Sequence, residues 1–171
     1  MSDVLEKSGA AAPGFTVFRF DEARDHIPAA PPRGLTEVSR DGLAKLTEAG
    51  MGAGAEARVL FSAPGFSLTY AWFKSAFPLF RHSHGPDCLY QVVGGELRLG
   101  EETLRKGDGF FLPAGAAYTF QVGPEGVEVL EFRHEDIRDT IIQANNPAYW
   151  EKAVETVLAR KELWASESRP L

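Results

Sequence analysis

The stretch AFPLFRHSHGPDCLYQVVGG, residues 76–95, decides how this chain is interpreted. It places His82 and His84 just before a Gly-Pro-Asp turn and an apolar run that starts at Cys88. In an unbroken strand, residues an even number apart share one face, so both imidazoles and the thiol would converge. Imidazole suits Zn, Fe, Ni and Cu, and a thiolate favours Zn or Cu, with Fe also open. The pattern allows a metal site; the alternative is that the two histidines line a polar cavity or hydrogen bond a ligand.

A second stretch, GDGFFLPAGAAYTFQV at residues 107–122, is expected to reach the same interior. The sequence Pro113-Ala114-Gly115 is typical of a turn, so Tyr118 is expected to open the strand that follows. A buried tyrosine ordinarily needs only a hydrogen-bond partner, which makes Tyr118 a cavity-lining donor. A metal-bound phenolate is the alternative.

These two stretches, with the strands around them, resemble the β-barrel of the small cupins. The first cupin motif, G-x5-H-x-H-x3-E-x6-G, maps with the right spacing onto Ala76, His82, His84, Cys88 and Gly95. The second, G-x5-P-x-G-x2-H-x3-N, maps onto five further positions: Gly107, Pro113, Gly115, Tyr118 and Val122. The frame of both motifs is therefore reproduced.

The resemblance implies a divalent metal ion, which typical cupins hold with three histidines and one glutamate. His82 and His84 match that set directly, whereas Cys88 stands at the glutamate position and Tyr118 at the third histidine position. A thiol loses its proton on coordination, and a phenol with an unperturbed pKa of about 10 can do the same beside a cation. The implied ligands are thus His82, His84, Cys88 and Tyr118, for Fe, Zn, Ni, Mn or Cu. If it is not a ligand, Tyr118 is the candidate general acid or base.

Other ionisable residues near these stretches are weaker candidates. Asp87 adjoins Cys88 and would replace it as a ligand only if a bulge shifted the strand by one residue. His134 lies in a charged run that is more simply solvated, and His26 lies in a proline-rich segment. Arg81 and Arg133 are candidates to meet an anionic ligand at the barrel mouth.

Composition and periodicity predict an all-β fold, a cupin-type antiparallel β-barrel of jelly-roll type. The chain has 171 residues with 17 Gly, 11 Pro and 12 Phe, a composition that favours many short strands and turns within one domain. We expect an N-terminal arm at 1–57 with a short helix over 41–50, the barrel at 58–140, and a C-terminal region at 141–171. Asn146 and Pro147 begin an amphipathic helix over 147–164 in this last region.

Charge and cysteine content exclude several classes of partner. The net charge is −6 and the pI about 5.3, which argues against a nucleic-acid ligand and against binding to an anionic membrane surface. With Cys88 as the single cysteine, no internal disulfide forms. The N-terminal residues lack an apolar signal segment, so a cytoplasmic location is expected.

Two functions from different classes fit this pattern. The first is a metal-dependent enzyme of oxygenase, isomerase or lyase type that acts on a small organic molecule inside the barrel. The second is a non-catalytic barrel that binds or senses a small molecule without metal, which explains why the glutamate and third histidine of the motif are missing. The arm at 13–35 and the helix at 147–164 need apolar surface to cover them, so a two-fold homodimer is also expected.

Overall fold

The computed structural model describes residues 14–25, 32–136 and 139–170. Within these ranges the chain forms two α-helices, α1 (Glu37–Ala49) and α2 (Pro147–Trp164). Two short 3-10 turns, Phe20–Glu22 and Met51–Gly54, accompany them. The β-strands in the same ranges are β1 (Arg24–Asp25), β2 (Ala55–Ala63), β3 (Phe66–Phe73), β4 (His82–Ser83), β5 (Cys88–Leu99), β6 (Glu102–Arg105), β7 (Gly109–Leu112), β8 (Gln121–Arg133) and β9 (Ile141–Ile142).

Most of the strands belong to one antiparallel sheet that closes around an apolar interior. Its order is β1-β2-β3-β8-β5-β6, with β7 also paired to β5, while β4 and β9 form a separate pair. The long strands β5 and β8 lie side by side, and alternate residues of each point inward. Their inward side chains form the centre of the barrel core: Tyr90, Val92, Leu97, Val127 and Val129. The predicted all-β barrel is confirmed.

One continuous strand replaces two predicted ones. The apolar runs at 118–122 and 127–133 suggest separate strands, but β8 extends from Gln121 to Arg133, with an irregular register against β5 between Val122 and Val127. Gly126 makes this possible, because it takes a left-handed φ of 85° at a point where a Cβ would lie 2.8 Å from the carbonyl oxygen of Phe73. Tyr118 lies before β8, where it forms an isolated antiparallel bridge with His82.

Both faces of β3 are covered, although its alternating sequence predicts two unlike faces. Ala71 points into the barrel core, while Tyr70 and Trp72 point outward. The outward face is nevertheless buried: the Phe20 ring packs edge-on against Tyr70 at 4.9 Å, and the Arg169 guanidinium lies 5.9 Å from the Trp72 ring centroid. Segments from both ends of the described chain therefore cover this strand.

Helix α1 begins four residues earlier than the predicted start at Asp41. Thr36 is its N-cap, with its side chain accepting from the Ser39 amide and the Ser39 hydroxyl accepting from the Thr36 amide. This reciprocal capping box satisfies amides that the first turn leaves unpaired, so the helix is stabilised from residue 37 onward. Gly50, in the left-handed region, ends it at the predicted position.

Helix α2 has the predicted bounds. Asn146 accepts from the Ala148 amide, and Pro147 occupies the first helical position. Its apolar face, which includes Trp150, Val157 and Trp164, forms a second core between the helices and the barrel. Among the described residues, no helix is both long enough and apolar enough to cross a membrane.

The four motif positions that carry glycine in cupins share one backbone conformation. Gly95, Gly107 and Gly115 have φ values of 66°, 99° and 74°, and Ala76, which replaces the first motif glycine, has a φ of 53°. Ala76 is the one non-glycine residue with positive φ in the described part of the chain. The motif therefore records backbone turns as well as ligands, and Ala76 adopts its turn at a conformational cost.

Replacing Ala76 with glycine is expected to raise the free energy of unfolding by about 1 kcal/mol, because glycine adopts this φ without the clash of a Cβ. Urea denaturation at equilibrium measures the change. Gly115→Ala is the matched opposite: its new Cβ would have no neighbour within 4 Å, so backbone strain alone should cost about 1 kcal/mol. A variant Ala76→Gly that is no more stable than the wild type would contradict this account.

Candidate functional site

The candidate site lies inside the barrel, where a loop and three strand ends meet. The predicted strand across residues 82–88 is interrupted, since β4 covers only His82–Ser83 and β5 begins at Cys88. The two motif loops are tied together at this break. The Gly115 amide donates to the His84 carbonyl at 2.8 Å, and the Ala114 amide donates to the Asp87 carboxylate at 2.7 Å. These bonds fix His84 and Cys88 relative to Tyr118.

Both histidines are buried and oriented by backbone carbonyls. His82 Nδ1 lies 2.8 Å from the Phe80 carbonyl oxygen, and His84 Nδ1 lies 2.7 Å from that of Asp139. A carbonyl only accepts, so neutral His82 carries its proton on Nδ1 and presents an unprotonated Nε2. At His84 we assign the same tautomer, because the Asp139 carbonyl at 2.7 Å is closer to Nδ1 than the Arg133 guanidinium at 3.1 Å. The two ring centroids are 4.9 Å apart. Metal-ligating histidines are ordinarily held in this way.

Two tyrosines contact the free nitrogen of His84. The Tyr90 hydroxyl lies 3.1 Å from His84 Nε2 and the Tyr118 hydroxyl 3.3 Å from it. The two hydroxyl oxygens are 2.8 Å apart, so imidazole and phenols form one connected hydrogen-bond network. The Tyr118 ring also packs against His82, with 4.5 Å between centroids.

A charged pair completes the polar cluster. Arg133 and Glu131 are alternate residues of β8 that both point inward, and the Arg133 guanidinium donates to the Glu131 carboxylate. Only 4% of the Arg133 side chain and 13% of the Glu131 side chain are exposed. The Cys88 thiol lies 3.8 Å from the same carboxylate oxygen, and Arg133 also lies 3.1 Å from His84 Nδ1.

Burial keeps the cluster neutral apart from this pair. Burial, together with the neighbouring His84, lowers the pKa of His82 to about 4, and burial also lowers the pKa of His84. Burial and the nearby Glu131 carboxylate raise the pKa of Tyr118 and of Tyr90 well above their ordinary value. At neutral pH the imidazoles are therefore available as proton acceptors and the phenols as proton donors.

The carboxylate and the thiol respond to the buried arginine in different ways. Burial would raise the pKa of Glu131, but the Arg133 cation and His84 outweigh it and hold that pKa below its ordinary value. Burial and the Glu131 charge raise the pKa of Cys88 to about 12, so the thiol is protonated at neutral pH. A cation that binds here must displace the thiol proton.

The residues best placed for a metal differ in part from those the motifs imply. A ring nitrogen of His84, the sulfur of Cys88 and a carboxylate oxygen of Glu131 all lie within 4.8 Å of one another. Nitrogen, sulfur and carboxylate oxygen together form a donor set that Zn²⁺ accepts. His82 and Tyr118, the other two implied ligands, pack beside this group through their rings. The structure thus brings the four implied residues together and adds Glu131.

The weaker candidates lie outside this cluster or play another part in it. Asp87 binds the Ala114 amide at the surface, in the register that leaves Cys88 pointing inward. His134 is solvent-exposed beside Glu135, as expected. Arg133 was expected at the barrel mouth. It lies inside the barrel, because alternate residues of β8 point inward and Arg133 is one of them. His26 lies outside the described residues.

Three residues of the cluster were missed by sequence reasoning. Glu131 shares the inward face with Val127 and Val129 by the period-two pattern of VEVLEFR, so its position could have been found from the sequence. Tyr90 follows the same pattern two residues after Cys88. No sequence signal indicates that the Asp139 carbonyl orients His84, since this contact depends on the fold of a distant segment.

Aromatic side chains fill the rest of the interior. Phe110 stacks on Tyr90 with 4.7 Å between ring centroids, and Phe120 contacts Tyr118 at 6.3 Å. The aromatic character of Phe110, Phe120, Tyr70 and Trp72 predicts that all four are walls of the barrel. Phe110 and Phe120 are walls, whereas Tyr70 and Trp72 face outward.

No family model matches the chain, and no curated protein matches it. Several solved structures are similar to the chain. The polyketide cyclase RemF from Streptomyces resistomycificus is similar at 16% identity and a TM-score of 0.54, covering 85% of this chain and 99% of that one. An RmlC-like cupin from Shewanella frigidimarina is similar at 21% identity and a TM-score of 0.43, covering 51% of this chain and 80% of that one. KdgF from Halomonas sp. is similar at 20% identity and a TM-score of 0.41, covering 48% of this chain and 80% of that one.

Likeness at this level of identity concerns the fold. The antiparallel barrel with left-handed turns at the four motif positions is a cupin-type fold, and a C-terminal helix follows it. Its structural neighbours include enzymes, among them RemF and an oxalate decarboxylase from Bacillus subtilis.

Proposed function

We propose that this cupin is a metal-dependent enzyme that moves protons on a small organic molecule, as isomerases and lyases do. The observation that supports it is the set of donor atoms from His84, Cys88 and Glu131 within 4.8 Å of one another. His82, whose Nδ1 is held by a backbone carbonyl and whose ring centroid lies 4.9 Å from that of His84, is the candidate fourth ligand. RemF, at 16% identity, supports the fold and does not choose the substrate.

A bound divalent ion would polarise an oxygen of the substrate as a Lewis acid. The protein's own residues would handle the protons. With His84 Nε2 given to the ion, the Tyr118 and Tyr90 hydroxyls, 2.8 Å apart, are the groups suited to donate a proton or pass one on. The aromatic walls Phe110 and Phe120 would exclude water from the reacting atoms.

A second candidate function is a metal-free binding protein. The specific observation in its favour is the Arg133 guanidinium, which already pairs with Glu131 and lies against His84. With this cation in place, the carboxylate is neutralised without a metal. In that case the hydroxyls of Tyr90 and Tyr118 would hydrogen bond the ligand.

Elemental analysis of protein purified without an affinity tag or chelator distinguishes the two functions. We expect close to one metal ion per chain in the wild type, and a loss of at least about tenfold in His84→Ala and Cys88→Ser, because each removes one donor. Asp87→Asn is the control: its side chain keeps the bond to the Ala114 amide and should leave metal content unchanged.

Metal uptake should also increase with pH, because the Cys88 thiol has a pKa raised to about 12 and must release its proton on binding. A wild-type protein that retains no metal after reconstitution with Fe, Zn, Ni, Mn and Cu would contradict the enzyme proposal and support the metal-free one. Retention in Cys88→Ser would exclude the thiol as a ligand.

We also propose that the chain forms a homodimer through an apolar row on the outer face of the sheet. The row crosses five strands in direct register, through Phe61, Leu68, Phe132, Leu89 and Phe111. Leu89 is 51% exposed and Phe111 60% exposed. Because each copy carries a net charge of −6, two copies approach most readily through an uncharged row, and a two-fold axis would pack this row on itself.

Light scattering is expected to give a mass near twice the 18.7 kDa of the single chain. Leu89→Asp should shift the protein to monomer at micromolar concentration, because it places a charge within the exposed part of the apolar row. Leu158→Asp is the control: Leu158 is similarly exposed, at 53%, but lies on α2. A wild-type mass near 18.7 kDa would contradict the dimer.

A further inference from the structure

A cavity adjoins the candidate site and is lined in part by residues that pack in the barrel core. It is a groove of about 800 Å³, a volume suited to a small organic ligand. Its wall includes Leu79, Leu99, Phe120 and Tyr149, which are apolar or aromatic. Tyr118 lines it as well, and the Tyr118 hydroxyl belongs to the hydrogen-bond network of His84. One side chain therefore connects the groove with the polar cluster.

The side chains lining this groove that are charged at neutral pH are two arginines, Arg81 and Arg98, and no carboxylate of the described residues lines it. Among the described residues, no carboxylate lies within 4.0 Å of either guanidinium, although Arg58, Arg105 and Arg169 each pair with a glutamate. Both groove arginines are exposed. In a chain of net charge −6, the groove is thus a local positive site beside an apolar wall.

We propose that the groove between Arg81 and Arg98 binds a flat, largely apolar molecule that carries a carboxylate, and that this is the substrate class of the enzyme. The aromatic wall suits the flat body, and a guanidinium binds a carboxylate with paired hydrogen bonds. That this ligand is a substrate rests on the proposed function, whereas its binding in the groove does not depend on a metal.

A pair of fluorescent probes tests the charge preference. 8-Anilinonaphthalene-1-sulfonate is anionic, and N-phenyl-1-naphthylamine has the same ring system without the charge. The double variant Arg81→Gln/Arg98→Gln is expected to weaken binding of the anionic probe by at least about tenfold, because hydrogen bonds between charged groups are lost. Binding of the neutral probe should change less than about twofold, since the apolar wall is intact.

Gln121→Glu provides an independent variant that is expected to fold. Gln121 is exposed, lines the groove and stands opposite Arg98 in the β5–β8 register. A carboxylate there would pair with Arg98 and should selectively weaken the anionic probe. Arg40→Gln, which removes an exposed arginine of α1, is the matched control and should have no effect. Each titration is repeated in the Leu89→Asp background, which removes binding to the apolar row.

Competition then tests the carboxylate itself. 2-Naphthoate should displace the anionic probe from the wild type, and 2-naphthamide, which lacks the charge, should not. Equal displacement by both compounds, or a double variant that binds the anionic probe as the wild type does, would overturn the proposal. Every titration is run on chelator-treated and on metal-reconstituted protein. Loss of the metal site alone would leave the arginine effect in place, so failure of the proposed function is distinguishable from failure of this inference.

Discussion

Glu131→Gln is expected to lower the free energy of unfolding by about 3–5 kcal/mol, the cost of leaving one charge of a buried pair without its partner. The remaining charge is Arg133, whose side chain is only 4% exposed inside the barrel. Neutral glutamine still accepts a hydrogen bond but cannot balance the guanidinium. Urea denaturation of chelator-treated protein measures the effect without a contribution from metal binding.

Two further variants show whether the charge is the cause. Glu128→Gln is the matched control: Glu128 lies on the same strand, is 1% exposed, and accepts from the Tyr70 hydroxyl on the outer face. It should cost less than Glu131→Gln, about 1 kcal/mol and at most about 3 kcal/mol, because the described residues offer no hydrogen-bond partner at the buried position that its amide nitrogen can occupy. Adding Arg133→Met to Glu131→Gln removes both charges and should recover much of the loss. Equal losses in Glu131→Gln and Glu128→Gln would refute the charge argument.

The same ion pair should make stability depend on pH in one direction. The pKa of Glu131 is held below its ordinary value of 4.5 in the folded protein, by Arg133 and His84 against the effect of burial. The stabilisation is therefore complete above about pH 4.5 and is lost as the pH falls through the lower, folded-state pKa. The difference in stability between wild type and Glu131→Gln should narrow over that acidic range.

Trp164→Ala is expected to cost about 3–5 kcal/mol, because a completely buried aromatic side chain is removed. Trp164 is the last residue of α2; its ring lies 6.0 Å from that of Phe77, and its indole N–H donates to the Ser75 carbonyl at 2.9 Å. Loss of these contacts detaches the end of the helix from the barrel. Denaturation followed by circular dichroism gives the change in stability.

Two neighbouring substitutions serve as references for Trp164→Ala. Leu163 precedes it on the helix but is 54% exposed, so Leu163→Ala should change stability by less than about 0.5 kcal/mol. Trp164→Phe keeps most of the apolar volume but leaves the Ser75 carbonyl without its donor, and should cost about 1–3 kcal/mol. A loss in Leu163→Ala comparable to that in Trp164→Ala would show that α2 is stabilised by its exposed face instead.

Much of the fold was predictable because local signals and tertiary packing agree. The bounds of α2 follow from Asn146, Pro147 and the helical period of its apolar residues. The start of α1 was wrong, because Asp41 looked like a cap whereas the capping box at Thr36 lies outside the apolar pattern. The continuity of β8 was also missed, because glycine and proline separate the apolar runs at 118–122 and 127–133, and β8 passes through these residues with an irregular register.

The candidate site was predictable only at positions where the alternation of side chains along one strand determines which residues point inward. The cupin motifs bring His84, Cys88 and Tyr118 to the interior, and the alternation of β8 would have added Glu131. The buried position of Arg133 was missed, because a lone arginine at a strand end is ordinarily solvated. Contacts through the backbone, such as the bond from His84 to the Asp139 carbonyl, depend on how distant segments pack and have no sequence pattern.

The positions of the tryptophans decide what intrinsic fluorescence can report. Trp72, Trp150 and Trp164 are all buried, yet none lies in the barrel interior: one is on the outer face of β3 and two are on α2. Their emission therefore reports whether α2 is packed against the barrel and whether the outer face of β3 is covered. The interior contains Tyr90 and Tyr118 instead, so a molecule that enters the barrel would change tyrosine emission and leave the tryptophan spectrum almost as it was.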